Sequence, residues 1–152
     1  MTSVDTLEEF ERIAQEGAVL CFEKPDEARP LLEGAYRLAR RLGLEHEAGM
    51  VAVLLARQAY TSKRYASAIH ILRHATRAHS RDKSVAQSFA YVLEYIAERM
   101  LARGHVARGV VLLDSAAIGE TRWAEMESGP ERERHLACAE GLSRRARELR
   151  TG

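Results

Sequence analysis

The stretch RYASAIHILRHATRA, Arg64 to Ala78, places an aromatic, a small residue, a leucine and a second small residue at Tyr65, Ala68, Leu72 and Ala75. Steps of three, four and three residues line up on one face of an α-helix, because 3.6 residues complete a turn. The same ridge recurs along the chain. A shift of 40 residues sets Ala28, Leu32 and Ala35 beneath it, and a shift of 41 sets Gly109, Leu113 and Ala116 there. The place of Tyr65 is taken by Pro25 in the first copy and by Val106 in the third. The preceding helix joins the pattern, since Leu55 and Ala56 stand 13 and 12 residues before Ala68, as Ile96 and Ala97 do before Gly109. Recurrence at a fixed spacing marks an architecture in which helix pairs bury their apolar faces against their neighbours.

Outward from this ridge the apolar positions keep the helical period, and no stretch alternates with period two between turn signals. The chain is therefore read as all-α. Thr6 and Glu9 suit a capping box for a first helix running to about Phe22, and KPDE restarts the chain with a proline and acids in a first turn. Gly43 fits a left-handed cap with Leu44 folding back, closing a second helix. A third helix is expected over about Glu45 to Thr61, and a fourth from Tyr65 into the polar HSRDKS. Ser84 and Gln87 suit a capping box for a fifth helix that Gly104 ends after Arg103. A sixth covers Val106 to Ile118, with a short turn near Trp123. A last helix starts at Pro130 and carries Leu136, Ala139, Leu142, Ala146 and Leu149 as its apolar stripe.

Composition agrees with a packed domain. Hydrophobic residues make up 46% and charged residues 30% of 152, with three prolines, which argues against disordered and fibrous classes. Cys21 and Cys138 share no CxxC spacing and lie in apolar stretches, so both are read as small buried hydrophobes in a reducing compartment. The acidic opening lacks the apolar core of a secretory signal, and the longest apolar run, GMVAVLLA, is stopped by Arg57, so a cytoplasmic, membrane-free protein is expected. The net charge of +1 covers an uneven distribution. Acids outnumber bases nine to three over residues 1–35, bases outnumber acids thirteen to six over 36–118, and the remainder balances at seven each. Such excesses usually coat solvated helix faces.

The leucine and small residue of the first helix, the turn, and the aromatic, small, bulky and alanine positions of the second resemble a tetratricopeptide repeat. The likeness is strongest over residues 50–80, weaker over 91–118, and confined to the second helix over 7–39. The spacing of 40 or 41 exceeds the family's 34 or so, and the family's first-helix tryptophan and closing proline are missing. The expected architecture is an all-α antiparallel helix-pair solenoid of about three units (5–43, 44–82 and 83–118) with a capping helix over 119–150, forming a single domain over 1–152. The resemblance implies an inner groove lined by the first helix of each pair. Carried over position by position, its residues are Met50, Val53, Arg57, Tyr60 and Thr61, then Tyr91, Glu94, Glu98 and Leu101. Where chaperone-binding members hold a carboxylate with lysines and asparagines, this chain has Val53, Arg57, Glu94 and Glu98. That substitution implies an apolar partner peptide or helix with some basic character, bound to a noncatalytic adaptor or chaperone-like module.

No phosphate-binding glycine loop, HExxH, GxSxG or calcium loop occurs. His70 and His74, one turn apart, form the best local metal pair, but they fall opposite Leu72 beside Arg73 and Arg77, on the solvated ridge. His79 is read as a packing residue, and His46, between two glutamates, as part of a helix start. No catalytic residue, metal site or cofactor is expected. The bases Arg57, Lys63, Arg64, Arg73, Arg77, Arg81, Lys83, Arg99, Arg103 and Arg108 spread over several faces without interleaved aromatics, so nucleic acid is not the favoured partner. A regulatory or sensor domain holding a small molecule or nucleic acid is the second reading. Self-association is left open, because the end of a stack can pair with its symmetry mate. The Arg-rich, Lys-poor composition, with three lysines, fits a bacterial source.

Overall fold

In the computed structural model, which describes residues 3–79 and 81–152, seven α-helices follow one another with no strand among the described residues. They are α1 (Ser3–Glu23), α2 (Pro25–Arg41), α3 (Glu45–Thr61), α4 (Tyr65–Ala78), α5 (Lys83–Ala102), α6 (Val106–Glu125) and α7 (Gly129–Thr151). The fold is all-α, with helices that neighbour each other in sequence packing together. Two compact units divide the chain, Met1–Ile71 and Leu72–Gly152.

The turns repeat as closely as the ridges. After α2, Gly43 takes φ +74° and the Leu44 N–H donates back to the Ala39 carbonyl at 2.9 Å. After α5, Gly104 takes φ +83° and the His105 N–H donates to the Met100 carbonyl at 2.8 Å. After α3 the same closure forms with Lys63 at φ +62° and Arg64 donating to Ala59 at 2.8 Å. In each case a left-handed residue lets the next N–H satisfy an orphan carbonyl of the last turn. Only at Lys63 does a side chain with a Cβ bear the steric cost of that conformation.

Two expected helix starts shift. α1 begins at Ser3, so Thr6 lies within the helix rather than capping it. α5 begins at Lys83 because the Asp82 carboxylate accepts from the Val85 N–H at 3.1 Å, displacing Ser84 from the capping position. Ser80, in the polar stretch after α4, lies outside the described residues. The sixth helix does not stop at Ile118 but continues through Trp123 to Glu125.

In the first unit Phe10, Cys21, Ala28, Leu32, Ala35, Leu38, Ala39, Ala48 and Val51 form the core. A buried polar knot sits beside it. The Gln58 amide, fully buried, donates to the Pro25 carbonyl at 2.8 Å and to Ser62 Oγ at 3.2 Å, and accepts from Arg64 at 2.7 Å. One side chain thus ties the start of α2 to the turn after α3, and its satisfied partners remove the penalty of burying it.

In the second unit Val85, Phe89, Leu93, Ile96, Met100, Leu112, Leu113 and Ala116 are buried. At Gly109 an added Cβ would fall 2.6 Å from the Cγ of Leu101 and 3.5 Å from the Ala97 carbonyl, so α5 and α6 approach where both present small residues. All three recurring ridges are buried, at Ala28, Leu32 and Ala35, at Ala68, Leu72 and Ala75, and at Gly109, Leu113 and Ala116. α7 packs on α6 through Ala139 and Ala146, but Leu136 is 42% exposed and His135 occupies the buried position beside it. The centre of the α7 stripe is thus rotated by one residue from the expected one.

Candidate functional site

The residues expected to line a groove separate into two sets. In the first unit, Val53 is buried, Met50, Arg57 and Tyr60 are half-buried, and Thr61 is exposed with its hydroxyl donating to the Arg57 carbonyl at 2.9 Å. α1 lies over this part of α3. The Arg57 guanidinium stacks over the Phe22 ring at 4.8 Å, and the Cys21 thiol donates to the Leu54 carbonyl at 3.6 Å. Tyr60 packs against Tyr65 with ring centroids 5.8 Å apart. Of these α3 positions, Arg57 and Tyr60 are therefore engaged by the chain's own helices.

The second unit leaves an opening. α5 and α7 both pack on α6, and between them runs an open groove of about 840 Å³. Tyr91, Glu94, Tyr95, Glu98 and Arg99 line it from α5, and Cys138, Leu142 and Arg145 from α7. Tyr91 is 69% exposed and Tyr95 40% exposed, which is high for residues of this size. The period of α5 explains the arrangement, since residues 91, 94, 95 and 98 share a face opposite the buried Leu93, Ile96 and Met100. Leu101, expected beside them, turns instead to the α6 seam against Gly109.

The groove's charges are partly compensated. Arg145 grips Glu98 through both guanidinium nitrogens, one of the two bonds measuring 3.1 Å, which holds the Glu98 carboxyl below its usual range. Arg99 lies over the Tyr95 ring at 5.1 Å. Glu94 has its carboxyl pushed up, first by burial and then by the neighbouring charges of Glu120 and Glu98.

Glu120 belongs to a polar chain inside the unit. Its carboxylate contacts His135 Nδ1 at 2.6 Å, both side chains being 7% exposed. The His135 ring stacks on Trp123 at 4.1 Å with an interplanar angle of 25°. Trp123 donates to Glu127, which pairs with Lys83 at 3.1 Å. At the other end the Cys138 thiol donates to Glu120, and burial together with the charges of Glu120 and Glu94 raises its pKa to about 11. Cys138 is nonetheless exposed on the groove wall, with only part of its thiol desolvated, so it is not the buried hydrophobe expected from its apolar surroundings; Cys21 is, fully enclosed, its thiol pushed up by burial.

Tyr95, Arg99, Leu142 and Arg145 were not expected in the groove, Arg99 being read as a scattered base and Leu142 as part of the α7 stripe, because they line it only once α5 and α7 are set side by side. Glu120, His135 and Cys138 escaped it because their neighbourhood is tertiary; a His and a Cys three residues apart on one helix face were the only local signal. His70 and His74 are exposed, as is His46, whereas His79 is 5% exposed. A second opening, about 260 Å³, is lined by Arg73, Arg77, Arg122 and Arg150 with Asp114 and Ser115, and Arg150 pairs with Asp114. Among the described residues no helix is long and apolar enough to cross a membrane. No protein-family model, no curated protein and no solved structure matches the chain significantly.

Proposed function

We propose that the chain is a noncatalytic cytoplasmic protein-interaction module, adaptor or chaperone-like, built from tetratricopeptide-like helix pairs. It takes a partner peptide or helix in the groove between α5 and α7. The observation that carries this reading is the pair Tyr91 and Tyr95, exposed side by side on the wall of an open groove. Tyrosine buries a large area at low entropic cost and keeps a polar end, which makes it a common binding anchor. Leu142 on the facing wall adds apolar surface, and Glu94 adds an acidic site not taken by an arginine pair, so the fitting partner is apolar with a lysine or arginine. The repeat reading is supported by the three buried ridges and by the shared closure of the turns after α2, α3 and α5.

Binding of fluorescent peptides that alternate apolar residues with lysine tests the proposal, against the same peptides carrying glutamate. Lysine peptides are expected to bind more tightly. Tyr91→Ala, a surface change that leaves the core alone, should weaken them about tenfold, or roughly 1.4 kcal/mol. Equal binding of both peptide sets, or no effect of Tyr91→Ala, overturns it.

The second reading, an anion or nucleic-acid site, rests on the four arginines around the smaller opening. It predicts binding to single-stranded nucleic acid that falls steeply with salt and is lost on Arg73→Ala with Arg77→Ala.

A further inference from the structure

Among the described residues one group of metal-ligating side chains converges from three helices. Glu94 of α5, Glu120 of α6 and Cys138 of α7 each bring one donor atom within 4.8 Å of the other two. Ligand atoms around one tetrahedral zinc ion stand roughly 3.3–3.8 Å apart, as follows from bonds of about 2.0–2.3 Å. Closing on one ion would draw the donors together by up to about 1–1.5 Å. The mixture of donors is what separates this group from an ordinary acidic patch, since a thiol joins two carboxylates. Both charges acting on Glu94 are negative, and the facing-wall guanidinium of Arg145 is engaged with Glu98. Glu120 is already held from behind, its other interaction being the 2.6 Å contact to a His135 ring stacked on Trp123. A ligating carboxylate fixed by a hydrogen-bonded neighbour is the usual construction of a metal centre. Access exists as well, because Glu94 and Cys138 line the groove.

We propose that Glu94, Glu120 and Cys138 form a binding site for one divalent transition-metal ion, with zinc the best match to a thiolate and two carboxylates. Three protein ligands leave a fourth position facing the groove, open to water or to a donor atom of whatever enters it. The site shares Glu94 with the peptide reading but not the exposed tyrosines, and a metal titration without peptide separates failure of the one from failure of the other.

Cobalt(II) titration of the full chain, treated first with chelator and reductant, tests the proposal without any peptide. The expected result is one equivalent bound per chain, with a thiolate-to-cobalt absorption band in the near ultraviolet that zinc abolishes and millimolar magnesium does not. Cys138→Ser should remove the band, and Glu94→Gln should weaken binding at least tenfold. Glu140→Gln, a surface acid paired with Arg147, should change neither. Cys138 and Glu94 are not core residues, so circular dichroism of these two variants should match the parent, and they decide the matter where Glu120→Gln fails to fold. No uptake, a band that survives Cys138→Ser, affinity unmoved by Glu94→Gln, or binding lost instead with His70→Ala and His74→Ala overturns the site.

Discussion

Replacing His135 by leucine removes the buried partner, 2.6 Å away, of a carboxylate that is 7% exposed, and leaves it only the Cys138 thiol at the groove wall. A buried charge stripped of its partner costs about 3–5 kcal/mol, whereas exchanging both members of such a pair for apolar residues is often neutral. His135→Leu is therefore expected to destabilise the protein by about 4 kcal/mol, a large share of the 5–15 kcal/mol typical of a folded domain. The double variant Glu120→Leu with His135→Leu should lie within about 1 kcal/mol of the parent, because it leaves no orphaned charge. Urea unfolding with chelator present measures both, followed by circular dichroism and by the emission of the single tryptophan, Trp123, which stacks on His135. With a slope of about 2 kcal/mol per molar urea, the single variant's midpoint should fall by about 2 M. A single-variant loss below about 1 kcal/mol, or a double variant as unstable as the sum of the two singles, would refute the view that desolvation of Glu120 dominates.

Gly109→Ala puts a Cβ 2.6 Å from Leu101, and overpacking of about 1–3 kcal/mol should outweigh the helix-propensity gain of about 1 kcal/mol. Adding Leu101→Ala should recover part of that loss in chemical denaturation, and an additive double variant would show that the two do not touch. Lys63→Gly relieves a left-handed backbone at φ +62° and should raise stability by about 0.5–1 kcal/mol, read as a higher melting temperature. A lower one would mean that the Lys63 side chain contributes more than its backbone costs. In metal-free protein Cys138 should react with a small alkylating reagent before the enclosed Cys21 does, its rate climbing toward pH 11 rather than levelling near pH 9. Mass-spectrometric mapping over pH 7–11 checks this, and a rate that levels by pH 9 contradicts the raised thiol pKa.

Much of the fold was legible locally. The helical period, Pro25 at the start of α2 and the glycines at 43 and 104 delimit elements through interactions within a turn or two, where sequence spacing and spatial distance are nearly the same thing. The buried state of the ridges at Ala28, Ala68 and Gly109 follows from the same period. Capping was less legible, because Asp82 and Ser84 offer competing oxygens two residues apart and the better-placed one decides where α5 begins. Trp123 ended no helix, since α6 continues through it and its indole finds a partner in Glu127.

The site divides along the same line. Sequence alone determined that this chain forms helices, where most of them turn, and that Tyr91, Glu94 and Glu98 share one face of α5. Tertiary structure alone decided that Leu101 turns to Gly109, that α1 lies over the α3 positions, and that Glu94, Glu120 and Cys138 meet. The physical reason is range. Helix formation is written in hydrogen bonds four residues apart, but the meeting of a thiol with two carboxylates depends on how α5, α6 and α7 rotate about their axes as they pack, and no single segment specifies that rotation.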